Sequence, residues 1–537
     1  MSSTYSVKNL DHLGLVAGMC KDLQIAQVID AAFPEQSQDK FISYGQLVVA
    51  MILNGLGFVG RTLHMYPESF ADKPVERLIA QGIKAEHIND DALGRCLDAL
   101  YEKGVSSLYQ TLSEQVVNHL ELPCEAVNLD STSIHVDGQY SDANSDEHSI
   151  KLTRGYSRDH RPDLNQVVLN LITENQAGIP VYMQAANGNT NDSEGFKKIV
   201  KSHVSSLKAA QKSRYFIADA ALYSAETISA LDIQNQLFIT RVPQKLKEAK
   251  AIIATINDIK FEALDNGYSG AWFESDYGDV KQRWLLVRSE QANKRERHLL
   301  NKRLFNNSMA SHKSFKKLCK QRFACPIDAQ TQLSAWQSSQ EMVELVNEKV
   351  IKHPVYTQKG RPKKDQEPDN YEYSIQAELI CSISKQEKMV SDKGLFILAT
   401  NDVSGVMTME KLLSLYKSQQ SVEKGFRFLK SPDFLVSSLY LKKPERIEAL
   451  LMVMTCCLMV YAALEHSIRT ELKAQSRFFP DMKYKDSQNP TARWVFFCFQ
   501  GIHELSVNES QVIIVNIKER NTTIIDCLGE TYRQIYS

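Results

Sequence analysis

The stretch VNLDSTSIHVD, residues Val127–Asp137, decides how the rest of the chain is interpreted. Its apolar and β-branched residues predict a largely buried β-strand. Asp130 stands inside that strand. A buried carboxylate is costly unless it pairs with an opposite charge or holds a cation. Asp130 therefore needs a partner from elsewhere in the chain.

Length and composition limit the class of protein to which the chain can belong. A chain of 537 residues is too long for a single hydrophobic core and predicts about two to four domains or subdomains. With 43% hydrophobic and 24% charged residues, the composition is that of a globular protein, and the net charge of −1 indicates no particular partner. Any nucleic-acid site must therefore come from local clusters of Lys and Arg.

Three sequence features bear on the cellular compartment. The cysteines show no C-x-x-C spacing, which predicts free thiols in a reducing cytoplasm. The N-terminal residues MSSTYSVKNLDHLG lack the basic and apolar regions of a signal peptide. The apolar run Ala449–Leu464 is shorter than the roughly 20 residues that cross a membrane, so it predicts a helix buried inside a domain. We therefore expect a cytoplasmic protein.

Residues 1–120 predict a helical N-terminal domain. Ser43 and Asn89 are the predicted N-caps of two of its helices. No catalytic group stands out in this segment. Its residues leave open whether the domain only packs, or binds DNA ends or dimerises.

Residues 121–243 predict the first part of an α/β domain. The ENQAG turn at 174–178 separates two β-rich runs and predicts a hairpin. A helix is predicted over Ser193–Leu207, between that hairpin and two further strands, Arg214–Ala221 and 237–243. Adjacent strands followed by strand–helix–strand alternation predict a mixed sheet with flanking helices.

The second half of the chain interrupts that pattern and then resumes it. Residues 244–392 contain strands, a basic helical stretch to about 350 and a polar linker, and they predict an inserted subdomain. Residues 393–470 predict the second part of the α/β domain, with one long helix over Met407–Leu429. Residues 471–537 form a C-terminal region.

Two further carboxylates are candidate partners of Asp130. Asp219 ends a second apolar strand, and Glu423 lies on the predicted long helix. Neighbouring strands lie about 4.8 Å apart, so two strand carboxylates can share divalent cations. Carboxylate oxygens suit Mg²⁺ or Mn²⁺, and two such ions promote in-line phosphoryl displacement. Each of these residues taken alone also fits a turn, a cap or a solvated charge. Their spacing therefore leaves open whether they bind metal ions or have only such a local role.

The surroundings of Glu423 resemble a known family. The spacing of Tyr416, Gln419, Glu423 and Lys430 resembles the Tyr-x2-Arg-x3-Glu-x6-Lys signature of bacterial insertion-sequence DDE transposases. Further blocks of the same family occur in the same order between about 125 and 465: VNLDSTSIHVDG, GYSRDHRPDLNQ, GNTNDSEGF, FIADAALYS, FITRVP and FRFLKSP…LKKPERIEALL. HINDDALGRCLDALYEKG resembles the helical leader of one branch, the sixteen-thirty-four branch of the insertion-sequence-four superfamily.

The resemblance implies an RNase H-like catalytic domain with a β-rich insertion between the second Asp and the Glu. It implies that Asp130, Asp219 and Glu423 are the catalytic, metal-binding residues of a site with two Mg²⁺ or Mn²⁺ ions. It also implies that Tyr416 and Lys430 contact phosphates of the transposon end. Gln419 departs from the signature, because it has neither the charge nor the bidentate fork of Arg.

Basic residues cluster in two places that could bind DNA. Between Lys281 and Lys320 there are twelve Lys and Arg residues against two acids, which favours phosphate neutralisation over a solvated helix face. The second cluster follows Glu423 and would line the same groove. The predicted DNA-binding residues are Lys316 and Lys317 in the first cluster, Lys424, Arg427 and Lys430 in the second, and Tyr416 and Arg241; Lys442, Lys443 and Arg446 extend the second cluster.

These inferences predict a DNA transposase that cleaves transposon-end phosphodiesters and transfers the 3′-OH into target DNA. Its partners would be the terminal inverted repeats and the target DNA, and a nucleoid-associated homodimer would hold two ends. A metal-dependent nuclease of the same fold without strand transfer is one alternative. A catalytically silent DNA-binding protein derived from a transposase is the other.

Overall fold

A computed structural model describes residues 5–35, 41–58, 63–136, 149–157, 161–191, 194–200, 214–340, 343–358, 367–381, 390, 392–430, 441–508 and 511–537. The chain divides into two compact units. The first unit comprises Met1–Arg241, Ser275–Arg283 and Ala399–Ser537, and the second comprises Val242–Glu274 and Trp284–Leu398.

The strands, in chain order, are β1 (Tyr5–Asn9), β2 (Ala126–Val136), β3 (Asn165–Glu174), β4 (Pro180–Asn187), β5 (Tyr215–Ala218), β6 (Leu237–Val242), β7 (Glu262–Leu264), β8 (Tyr268–Ser275), β9 (Gln282–Ser289), β10 (Val343–Val355), β11 (Asn370–Cys381), β12 (Leu395–Thr400), β13 (Phe479–Pro480), β14 (Asp486–Ser487), β15 (His503–Val507) and β16 (Gln511–Val515).

The α-helices are α1 (Leu13–Asp22), α2 (Ile25–Ala31), α3 (Tyr44–Leu56), α4 (Tyr66–Ala71), α5 (Val75–Leu78), α6 (Asp90–Lys103), α7 (Val105–His119), α8 (Ala225–Ile233), α9 (Lys247–Ala254), α10 (Glu290–Cys319), α11 (Pro326–Ser338), α12 (Met409–Lys417), α13 (Gln420–Leu429), α14 (Pro444–Ala474), α15 (Ala492–Cys498), α16 (Glu519–Leu528) and α17 (Glu530–Ile535). Residues 194–200 are also helical, whereas the rest of the helix predicted over Ser193–Leu207 lies outside the described residues.

The sheet that carries Asp130 is mixed, as predicted. Five of its strands lie in the order β4-β3-β2-β5-β6. β2, β3 and β4 are antiparallel neighbours, whereas β2, β5 and β6 run parallel. The hairpin between β3 and β4 is closed by the buried Glu174, whose carboxylate accepts hydrogen bonds from the backbone N–H groups of Gln176, Ala177 and Ile179. The prediction of an ENQAG hairpin is confirmed.

The N-terminal segment is helical, and both predicted caps are present. Ser43 forms a capping box with Gln46 at the start of α3, and Asn89 accepts a hydrogen bond from the backbone of Ala92 at the start of α6. Before these helices, however, β1 pairs antiparallel with β15 of the C-terminal region. The two ends of the chain therefore share one unit, which local periodicity did not indicate.

The long apolar helix α14 is the central packing element of the first unit. It contacts α1, α3 and α6. Within the described residues, it is the one helix long and apolar enough to cross a membrane by length and composition, and 83% of its most apolar window is buried inside the protein. The prediction that Ala449–Leu464 forms a buried helix is confirmed.

The second unit contains a long hairpin covered by helices. β10 and β11 pair antiparallel from Val343–Cys381 to Val355–Asn370. α10 and α11 pack on this hairpin through a small core that includes Phe315, Leu333 and Ile375. The prediction of helix to about 350 is wrong beyond Ser338, because the β-branched and aliphatic residues from Val343 onward pair with β11 instead.

The helix predicted over Met407–Leu429 is divided into α12 and α13. The Ser418 hydroxyl donates to the carbonyl of Leu415, 2.7 Å away, and so competes for an acceptor near the end of α12. The backbone N–H of Gln419 donates to the carbonyl of Tyr416, which closes a tight turn. The prediction of one continuous helix is therefore wrong at this point.

Candidate active site

Asp130 and Asp219 lie side by side in the sheet. Leu129 of β2 and Ala218 of β5 are partners in a parallel ladder, and each Asp follows one of them directly. Neighbouring strands are about 4.8 Å apart, so the two carboxylates are presented at the same level of the sheet. Sequence spacing alone did not establish this register.

The backbone orients both carboxylates. Asp130 Oδ1 accepts from the N–H of Ser131 at 2.8 Å, and Asp219 Oδ1 accepts from the N–H of Ala221 at 2.9 Å. The Thr240 hydroxyl of β6 donates to the carbonyl of Asp219 at 2.8 Å. The end of β5 is therefore held by its neighbour β6.

Glu423 is carried over this part of the sheet by α13, which packs against β2 and β3. Val422, Phe426 and Leu429 form the buried face of α13, whereas Glu423 is exposed. Just before α13, Ser418 Oγ lies 3.2 Å from Asn128 Oδ1. Side chains two residues apart on a strand share a face, so Asn128 and Asp130 face the same side of the sheet. The start of α13 thus lies over the face that carries Asp130.

The pKa of Tyr416 is influenced by all three carboxylates. Burial raises the pKa of Tyr416 to about 12. Within that shift, the charge of Arg241 lowers the pKa, and the charges of Asp219, Glu423 and Asp130 contribute to its rise. All four charged groups are therefore close enough to influence the ionisation of one phenol.

The site has the ligand chemistry of a magnesium centre but not its closed geometry. Among the residues that the structure describes, no three His, Cys, Asp or Glu side chains lie close enough together to hold one ion. The three carboxylates share a neighbourhood without forming a ligating cluster. Oxygen-only donors nevertheless fit Mg²⁺ or Mn²⁺, since hard cations prefer carboxylate and water oxygens.

The predicted DNA-binding residues around the site lie on α12, α13 and β6. Lys424 and Arg427 are exposed on α13, and Lys430 follows its last turn. Arg241 is exposed near the end of β6, and Tyr416 is half-buried at the end of α12. Their roles toward DNA stay predictions.

The side chain of Arg446 is paired with an acidic residue of the N-terminal segment. Its guanidinium donates two hydrogen bonds of 2.7 Å to the Asp98 carboxylate on α6. Gly94 makes room for this pair, because a Cβ there would lie 2.9 Å from a guanidinium nitrogen. The structure thus gives Arg446 a packing role, and its predicted place in the groove stays a prediction.

Lys316 and Lys317 belong to the second unit, in the last turn of α10. Both side chains are exposed. So are six further basic residues of the same helix: Lys294, Arg295, Arg297, Lys302, Arg303 and Lys313. The structure thus leaves a basic helix accessible to solvent.

The mixed sheet, with Asp130 and Asp219 on neighbouring strands and Glu423 on the helix α13 that packs against it, places the chain in the RNase H-like class of folds. A solved structure similar to this chain is that of piggyBac transposase in a synaptic complex with hairpin DNA, with 10% identity over 93% of this chain and 83% of that one and a TM-score of 0.39. No curated protein matches the chain.

Family comparison identifies the chain. The family described as Transposase DDE domain matches residues 125–460, and a domain of unknown function (DUF4277) matches residues 5–114. The chain belongs to the DDE transposases, enzymes that act on DNA and depend on divalent metal ions.

Proposed function

We propose that this transposase cleaves the phosphodiester at the ends of its element and transfers the freed 3′-OH into target DNA. Asp130, Asp219 and Glu423 hold two Mg²⁺ or Mn²⁺ ions in this proposal. The main support for this proposal is the parallel register of Leu129 and Ala218, because that register sets Asp130 beside Asp219. The packing of α13 on β2 brings Glu423 to the same region.

The chemistry divides between the cations and the side chains around them. When bound, the two cations activate the attacking oxygen and stabilise the leaving oxygen. Asp130 and Asp219 would hold the cations from the sheet, and Glu423 would approach them from α13. Tyr416 donates a hydrogen bond to a DNA phosphate as a neutral phenol. Lys424, Arg427 and Lys430 on and after α13, with Arg241, neutralise further phosphates.

A cleavage and joining assay tests this function. A labelled transposon-end duplex and a target plasmid are incubated with Mg²⁺, and cut and joined products are separated on a gel. The wild type should give both products. Asp130→Asn should give neither and still bind the end, because it removes ligand charge and little volume. Asp481→Asn, a change of the same charge on a surface loop, serves as the matched control.

Three outcomes would change the proposal. Cleavage without joining by the wild type identifies a nuclease. End binding without cleavage identifies a silent DNA-binding protein. Wild-type cleavage by Asp130→Asn contradicts the metal-binding role of this carboxylate.

We further propose that the protein acts as a homodimer on DNA, in the cytoplasm at the nucleoid. One active site cannot readily hold two transposon ends, so pairing of ends calls for two chains. Sedimentation of the protein with end duplex should give a complex of two chains and two duplexes. A complex of one chain and one duplex at all concentrations would contradict this proposal.

A further inference from the structure

One contact links the strand of Asp130 directly to the segment that carries Glu423. Asn128 is fully buried on β2, two residues before Asp130. Ser418 lies between α12 and α13, two residues after Tyr416 and five before Glu423. Ser418 Oγ and Asn128 Oδ1 are 3.2 Å apart. Two of the proposed metal ligands are therefore connected through a short polar contact.

Ser418 also determines where α12 ends. Its one hydroxyl hydrogen is shared between the carbonyl of Leu415, 2.7 Å away, and Asn128 Oδ1, 3.2 Å away, and the bond to Leu415 competes with the regular hydrogen bonds of a helix. The chain turns at this point and starts α13. The same side chain therefore shapes the break that sets the direction of α13 and contacts the strand beneath it.

Asn128 lowers the stability of the folded protein relative to an apolar residue at this position. Its Nδ2 atom is buried and has no hydrogen-bond partner among the described residues. A buried polar group without a partner is destabilising, so packing alone favours an apolar residue here. The amide at position 128 thus points to a role other than stability.

We propose that Asn128 and Ser418 are positioning residues that hold the start of α13 over the strand of Asp130, so that Glu423 can approach Asp130 and Asp219 when divalent cations bind, and that they thereby set the affinity of the site for these cations. They act through the two carboxylates. This inference rests on the metal-binding role proposed for Asp130 and Glu423. Removal of a group that orients a metal ligand typically weakens metal binding about 10- to 100-fold.

Direct Mn²⁺ binding tests the inference without relying on activity. Mn²⁺ binding by the full chain is measured by isothermal titration calorimetry and by the electron paramagnetic resonance of free Mn²⁺. We expect Ser418→Ala to bind Mn²⁺ at least about tenfold more weakly than the wild type. Ser418→Thr keeps the hydroxyl and should retain wild-type affinity. The Mg²⁺ concentration for half-maximal cleavage should rise in parallel for Ser418→Ala.

The chain offers a control for removal of a serine hydroxyl that links a helix to a strand: Ser113, which is fully buried, whereas Ser418 is half-buried. Ser113 Oγ contacts the carbonyl of Gln110 at 2.8 Å and that of Val181 at 2.7 Å, so it too links a helix turn to a strand. Ser113→Ala should lower the thermal midpoint of unfolding about as much as Ser418→Ala. It should leave Mn²⁺ affinity at the wild-type value. A purely structural role for Ser418 predicts the same behaviour for both variants.

The outcomes separate this inference from the proposed function. If Asp130→Asn loses Mn²⁺ binding and Ser418→Ala binds like the wild type, the positioning role is overturned and the metal site stands. If Asp130→Asn binds Mn²⁺ like the wild type, both the proposed metal site and the positioning role are contradicted. Should Ser418→Ala fail to fold, Ser418→Cys keeps the side-chain volume with a weaker hydrogen-bonding group and takes its place in the comparison.

Discussion

Asp98 on α6 and Arg446 on α14 are joined by two parallel hydrogen bonds, each 2.7 Å long. The pair connects the N-terminal helices to the long apolar helix within the first unit. About a third of each side chain is exposed, 29% for Arg446 and 34% for Asp98. The bidentate geometry gives the contact a fixed direction that a single surface ion pair lacks.

Arg446→Ala should lower the free energy of unfolding by about 1 kcal/mol at pH 7, a value discounted for partial exposure. The hydrogen bonds from Arg446 hold the pKa of Asp98 below its usual 3.8. The stabilisation is therefore fully present above that pH and is lost as the pH falls through the lower, native pKa. Urea unfolding at pH 7 and near pH 3 should show the difference between the two proteins shrinking with acidification.

The exposed pair Lys84–Glu86, 3.8 Å apart, provides a control for the Arg446 experiment. Lys84→Ala should have little effect at either pH, because exposed ion pairs contribute little. A difference between wild type and Arg446→Ala that stays constant with pH would contradict the role given to Asp98.

Glu448→Gln should stabilise the protein at alkaline pH. Burial, with a smaller contribution from the charge of Glu445, raises the pKa of Glu448 to about 7 from 4.5. Between these values the unfolded chain loses the proton first, so the folded state is penalised increasingly up to pH 7 and fully above it. The variant should gain up to about 3 kcal/mol at pH 8 and little at pH 4, measured by urea unfolding, because one pKa unit corresponds to about 1.4 kcal/mol. Equal effects at both pH values would exclude a buried, protonated carboxyl.

Neutralising Lys316 and Lys317 together should weaken DNA binding across sequences. The slope of log affinity against log salt should become shallower by about 0.9 for each DNA phosphate that the variant no longer neutralises. Fluorescence anisotropy with an end duplex and an unrelated duplex, over a series of KCl concentrations, measures this slope. Lys483→Ala with Lys485→Ala, an equal change of charge on a surface loop, is the control. An unchanged slope would remove α10 from the DNA-binding surface.

Gln419→Arg should strengthen binding of the transposon end. Arginine adds a charge and a bidentate donor where the family signature has one, and neutralising one more phosphate should increase the salt slope by about 0.9. Gln420→Arg, at the exposed neighbouring position, controls for added charge alone. An equal gain from both variants would mean that position 419 has no special access to the DNA.

Local features of the structure were predictable because they depend on neighbouring residues. The strand around Asp130 and the ENQAG hairpin follow from side-chain period and turn composition. The helix starts after Ser43 and Asn89 follow from capping chemistry. The burial of Ala449–Leu464 follows from its uninterrupted apolar character.

The sequence by itself determined the family, the three candidate carboxylates and the strand and helix that carry two of them, because motif spacing and periodicity are local properties. Only the tertiary structure decided the register of Leu129 with Ala218, the break at Ser418, the pairing of β1 with β15 and the Asp98–Arg446 contact. The register, the pairing of β1 with β15 and the Asp98–Arg446 contact depend on groups that become neighbours only through packing, and the break at Ser418 accompanies the contact of its Oγ with Asn128 on β2. Residues hundreds of positions apart compete for the same acceptors and the same space, and that competition is resolved only when the chain is folded.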